Sequence, residues 1–226
     1  MATHIEQSWF RIERWLATHA PRTATTLRPP AEPAAIAECR RITGVTFPDD
    51  LIASLLRHDG SAPEYPSFVL PGGYRPMPVA DIAPAWRIST GGPARTDGLA
   101  LASGPAPASG LAPAGAEGPL PGGYWHPKWI PFADTNALDA LLVDCRLGEN
   151  RGAVGTHRRG DGDGARLGHW PSVGALLMEV ADALEWRRPV GRWLPVTLDG
   201  RLTWEPRDEP HPAPRSLSEP VPAAPN

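Results

Sequence analysis

Apolar residues return at Ile5, Trp9, Ile12 and Leu16, with Glu6, Glu13 and Arg14 mostly off that stripe. The spacing predicts an amphipathic helix over 4–18. Residues 19–30 read as a linker ending in two prolines. A second helix starts at Pro33, turns Ile36 and Cys39 inward and closes on Gly44, the residue best suited to a left-handed cap. A third opens at Pro48, places Asp49 and Asp50 at its positive end, buries Leu51, Ile52, Leu55 and Leu56, and stops at Asp59-Gly60. Residues 67–70 predict a short strand. Val79, Ile82 and Trp86 predict a helix distorted by Pro84.

The densest core signal runs over 125–144. Two apolar stretches, 128–133 and 138–144, flank Asp134, Thr135 and Asn136, which suit a reversing loop, so the segment predicts a β-hairpin. A turn at 148–152, a small-residue strand at 152–157, a loop at 158–164 and a strand at 166–170 follow. Pro171 then opens a helix whose Val173, Leu176, Leu177, Val180 and Leu184 keep one face until Pro189. Asp199-Gly200, between 193–198 and 201–204, is a two-residue hairpin signal. Helices first, strands in the middle, then a helix and a hairpin describe an α+β fold: a mainly antiparallel sheet of about five to six strands with helices packed on it. Residues 1–206 read as a single domain. It is interrupted by a Gly-, Ala-, Pro- and Ser-rich insertion at 91–118 expected to be flexible, and followed by a disordered Pro-rich tail at 207–226.

Composition sharpens this. Apolar residues form 41% of 226, enough for one core, while 29 prolines and 23 glycines imply long stretches outside regular structure. A net charge of -3 argues against nucleic acid or anionic lipid as partner. Lys128 is the single lysine. No leader-like start and no apolar run of spanning length appear, so the expected location is cytoplasmic, with no membrane partner. Cys39 and Cys145 are expected as buried free thiols in a reducing compartment rather than a disulfide.

Catalytic signatures are missing. The lone lysine excludes a P-loop, and no serine lies in G-x-S-x-G. His126, His157, His169, Asp161 and Asp163 show no metal-ligand spacing. Counting from Asp161 puts Arg166 and Ser172 where a calcium loop needs Gly and Glu. In a strand, Asp139 and Asp144 point to opposite faces, a poor acid–base pair. No cofactor is implied. Trp9, Trp129 and Trp186 lie in apolar patterns and read as core, whereas Trp125 reads as core or as a partner anchor. Two copies of Leu-Pro-Gly-Gly-Tyr, at 70–74 and 120–124, read as tight turns or as lips of a groove.

Four motifs then share one order and spacing: Trp9-x-x-Ile12-Glu13-x-Trp15-Leu16; Phe47-Pro48-x-Asp50-Leu51 leading to His58-Asp59-Gly60; Trp129-Ile130-Pro131-Phe132-Ala133 followed by Leu142-Val143-Asp144; and Gly152-x-Val154-Gly155. From about residue 5 to about residue 186 the chain resembles the SUKH superfamily, which includes the yeast cell-wall assembly regulator of the Smi/Knr type and many bacterial immunity proteins. The resemblance implies an α+β fold, no catalytic activity, and function by protein binding, often to a toxin. The insertion and the C-terminal hairpin are departures from that pattern.

Two readings stay open. In one the chain is a non-catalytic immunity or regulatory protein whose protein partner meets Asp59, Tyr74, Tyr124, Trp125, His126, Asp134 and Asp139. In the other it is a small-ligand protein or enzyme with a pocket near His126, His157 and His169.

Overall fold

The computed structural model describes residues 2–91, 125–135, 139–158 and 165–207. Tyr124, Asn136, Asp161, Asp163, nearly all of the 91–118 insertion and the tail from 208 lie outside the described residues. So does the second Leu-Pro-Gly-Gly-Tyr copy.

The chain runs α1 (Ala2–His19), α2 (Pro21–Ala24), α3 (Pro33–Thr43), α4 (Asp49–Arg57), β1 (Arg75–Pro76), α5 (Val79–Ser89), β2 (Trp129–Asp134), β3 (Ala140–Asp144), β4 (Val154–His157), β5 (Ala165–Trp170), α6 (Val173–Trp186), β6 (Trp193–Leu198) and β7 (Arg201–Pro206). The described strands form an antiparallel sheet in the order β1-β2-β3-β4-β5 and a separate β6-β7 hairpin. The fold is α+β, as the element pattern implied.

Helix ends follow their local chemistry. Gly44 adopts φ 66° and closes α3; Ser172 Oγ accepts from Ala175 N at 3.2 Å and caps α6. At the β6-β7 turn Asp199 and Gly200 take φ 50° and 72°, the pair of positive angles that matches strand twist in a tight hairpin.

Four expectations fail locally. The 19–30 linker contains the short α2, which starts on Pro21. Residues 67–70 are not a strand: Phe68 N donates to Thr26 Oγ1 at 2.8 Å, and Ser61 Oγ donates to Phe68 O at 2.8 Å, so side chains take the bonds a strand partner would use. Leu56 is exposed, leaving Leu51 and Leu55 as the buried pair of α4. Trp186, expected in the core, is 65% exposed because it ends α6 beyond the packed turns.

Strand parity divides the sheet. Ile130, Ala133, Leu141, Val143 and Val154 join the main core with α1, α3, α4, α5 and α6. The opposite face carries the register pairs Trp129 with Asp144, Pro131 with Leu142 and Asp134 with Ala140. A register shift between Pro131 and Ala133 lets a proline without an N–H sit in a central strand. On β4, Gly155 is fixed by its neighbour: a Cβ there would lie 2.5 Å from Arg166 O and 2.9 Å from Leu167 Cδ2. Leu167 therefore folds over this second face.

Candidate binding surface

The outer face of the sheet holds a second, smaller cluster of Trp125, Trp129, Ala140 and Leu142, with Ala165 and Leu167 packed against it. It contains no helix residue. Trp125 is buried; its Nε1 donates to Trp129 O at 3.1 Å. The Trp125 ring meets Trp129 edge-on at 6.1 Å and His157 at 5.2 Å. Trp129 Nε1 is buried and has no hydrogen-bond partner among the described residues. An unmet buried donor costs about 1–3 kcal/mol, which makes it unusual in a settled core.

Charge is arranged around this cluster. Asp144 is completely buried and is held by Arg146, whose Nε and Nη2 donate at 3.0 and 2.7 Å to Oδ2 and whose backbone N donates to Oδ1 at 2.9 Å. The Arg146 guanidinium lies 5.7 Å from the Trp129 ring centroid. His126 Nδ1 accepts from Lys128 N at 3.0 Å, which fixes a neutral ring with Nε2 as its donor position. Burial, then the positive Arg146, holds the His126 imidazole below its ordinary value. Lys128 itself is exposed.

At the far end, Arg75 donates to Asp134 Oδ1 at 3.3 Å. Burial pushes the Asp134 carboxyl up, and Arg75 opposes it. Tyr74 belongs to the main core; burial and then the charge of Asp139 raise its phenol, with Arg158 acting against them. The first Leu-Pro-Gly-Gly-Tyr copy is a tight turn: Leu70 N donates to Tyr74 O at 2.7 Å, and Gly72 at φ 87° takes the space beside the Tyr74 ring that a Cβ would need.

Asp59 lies elsewhere, in a junction. Its Oδ1 accepts from Val79 N at 2.6 Å and caps α5, whose own N-cap residue, Pro78, supplies no side-chain bond. Beside it, His58 faces two acceptors: Nδ1 meets Arg28 O at 2.7 Å and Nε2 meets Glu13 Oε1 at 2.8 Å. Glu13 also accepts from Arg57 Nε at 2.7 Å. Gly60, at φ 69°, approaches the β1 backbone so closely that a Cβ would lie 2.5 Å from Met77 C. The His-Asp-Gly run is thus internal wiring among α1, α4, α5 and β1. Sequence reasoning singled out Asp59 but had no signal for a helix cap contributed from twenty residues upstream. It also missed Arg146 and Lys128, which flank the aromatic cluster.

Neither of two cavities among the described residues, of about 520 and 660 Å³, is lined by His126, His157 or His169. His169 meets Thr156 Oγ1 at 3.2 Å, whereas His157 meets Trp125. Among the described residues no group of three His, Cys, Asp or Glu could hold a metal ion. Burial raises the Cys39 thiol to about 11 and Cys145 to about 12, so both are uncharged thiols near neutral pH.

The profile of the SMI1 / KNR4 family (SUKH-1) matches residues 30–179, more than half of the chain. The chain belongs to this family. The matched span runs from the loop before α3 into α6 and includes the whole five-stranded sheet; it leaves out α1, α2 and the β6-β7 hairpin. No curated protein matches the sequence at a significant level. Membership in the SMI1 / KNR4 family fits a toxin-immunity or regulatory role, and the family is generally non-catalytic. Among the described residues no helix is long and apolar enough to cross a membrane.

Proposed function

We propose that this SMI1 / KNR4 family member is a non-catalytic protein-binding module, an immunity or regulatory protein of the cytoplasm that neutralises a protein partner such as a toxin. The observation that carries the reading is the outer sheet face: a second buried aromatic cluster to which no helix among the described residues contributes, with an indole donor unmet among those residues and a rim of His126, Lys128 and Arg146. Interfaces draw on aromatic and arginine anchors inside a polar rim. Trp125 and His126 supply the centre of the proposed surface, and Asp134 and Asp139 mark its far end; Tyr74 is left out of it, because it is packed in the main core. Asp59 is not part of it, because its carboxylate serves α5.

Co-expression tests the function. The chain is produced together with each toxin encoded beside its gene, and growth and co-purification are followed. Rescue and a stable complex with one of them are expected. Failure to rescue or to bind any of them removes the immunity reading.

A further inference from the structure

The β6-β7 hairpin and α2 both lie outside residues 30–179, and they pack on each other. Arg22 N donates to Gly200 O at 3.0 Å, and Leu202 N donates to Thr23 Oγ1 at 3.0 Å. Pro21 closes the contact, 3.5 Å from where a Gly200 Cβ would stand. This docking brings Arg22 and Arg201 to one open cavity of about 520 Å³, walled also by Pro21, Glu64, Tyr65 and Pro66.

The two guanidinium groups differ from Arg11, Arg57, Arg75 and Arg146, each of which is held by a carboxylate. Among the described residues neither Arg22 nor Arg201 has a side-chain hydrogen bond or ion pair. Arg201 lies 5.1 Å over the Tyr65 ring, and its Nε is buried without an acceptor. Tyr65 itself is 82% exposed, beside two prolines. Two uncompensated arginines above an apolar, aromatic wall suit a carboxylate carried on a chain that also covers the ring. A bare inorganic anion would leave Tyr65 uncovered. Glu64 on the same wall disfavours a dense polyanion, so the acid sits among neutral neighbours.

We infer that this cavity is a docking pocket for an acidic peptide segment of a protein partner, one carboxylate side chain entering between Arg22 and Arg201 while its flanking residues cover Tyr65, Pro21 and Pro66. The pocket deepens the protein-binding reading and rests on it. Its two arginines and Pro21 lie outside the span that the family profile covers, while Glu64, Tyr65 and Pro66 lie within it, and none of these residues is on the outer sheet face, so the pocket adds a contact distinct from that face.

The test is an NMR titration of the full chain with three probes: a blocked Ala-Pro-Glu-Pro-Ala peptide, its Gln counterpart and inorganic phosphate. The Glu peptide is expected to shift the Arg201 Nε–H and Gly200 N–H signals and to bind at least about tenfold more tightly than the Gln peptide, the scale of one charge-assisted bond pair. Arg22→Gln, an exposed change, and Arg201→Gln are each expected to remove that preference, with Arg22→Gln decisive if the hairpin variant melts early. Equal binding of the two peptides, response to phosphate alone, or an unchanged preference in Arg22→Gln overturns the inference. None of those results touches the sheet-face reading, which is read at Lys128.

Discussion

The His58–Gly60 junction and the Trp125–Trp129 end of the sheet both carry signature residues, yet they use them in opposite ways. At the junction every polar group finds an internal partner: His58 is placed between Arg28 O and Glu13, Asp59 caps α5, and Gly60 touches the β1 backbone. At the sheet end the accounting is incomplete among the described residues, with Trp129 Nε1 unmet and Lys128 in solvent. The contrast separates residues that hold the scaffold from residues that the scaffold presents, a distinction invisible in a motif string.

Substitutions at the junction sharpen that contrast through stability. Gly60→Ala has the largest expected effect, a loss of about 3 kcal/mol or more in urea unfolding, because its Cβ would strike backbone that cannot move aside and its φ is positive. Asp59→Ala comes next, costing about 1–2 kcal/mol by uncapping α5, with the earliest loss of amide protection at Val79.

A pH series isolates Glu13. Burial raises its carboxyl, but bonds from Arg57 and His58 outweigh burial and hold it below the ordinary range. A depressed carboxyl contributes stability that is present above its unfolded value and lost as pH falls through its folded value. Glu13→Gln is therefore expected to lower stability by about 1 kcal/mol near neutral pH. The gap to the parent chain should close below about pH 4, the lower side of the usual glutamate range. A gap that persists unchanged into acid would remove the charged network from the account.

His126→Ala should barely register in the same assays, within about 0.5 kcal/mol, since the ring is partly exposed and bonds only to a nearby backbone N–H. Its expected effect is on the partner complex, an affinity loss of about tenfold. Comparable stability losses at His126 and Asp59 would erase the difference between the two regions.

Much of the fold was legible where the signal is local. The face of α6, the Gly44 cap and the Asp199-Gly200 turn each depend on residues within a few positions of one another, and each appears as expected. Strand parity set Asp139 apart from Asp144; β3 begins only at Ala140, so Asp139 lies outside the strand that argument assumed, while Asp144 is buried and tied to Arg146 at the strand end. What failed depends on distant partners. The extended 67–70 stretch bonds to Thr26 and Ser61 rather than to a strand, and Trp186 keeps the helical period while lying past the end of the core. Asp59 looked available because its partner, Val79 N, is a backbone group with no sequence identity to recognise. Trp125 and His126 were picked out by their setting, but the unmet Trp129 donor emerged only from the packed cluster.

The single lysine makes the central claim directly measurable. Lys128 stands in solvent beside Trp129 and His126, so an amine-reactive label has one side-chain target in the chain. Labelling is followed by mass spectrometry with and without the toxin that co-purifies with the chain. A partner seated on the outer sheet face should slow Lys128 labelling by about tenfold or more, the scale expected when an interface excludes water from its centre. An unchanged rate in the saturated complex would place the partner elsewhere and contradict the account.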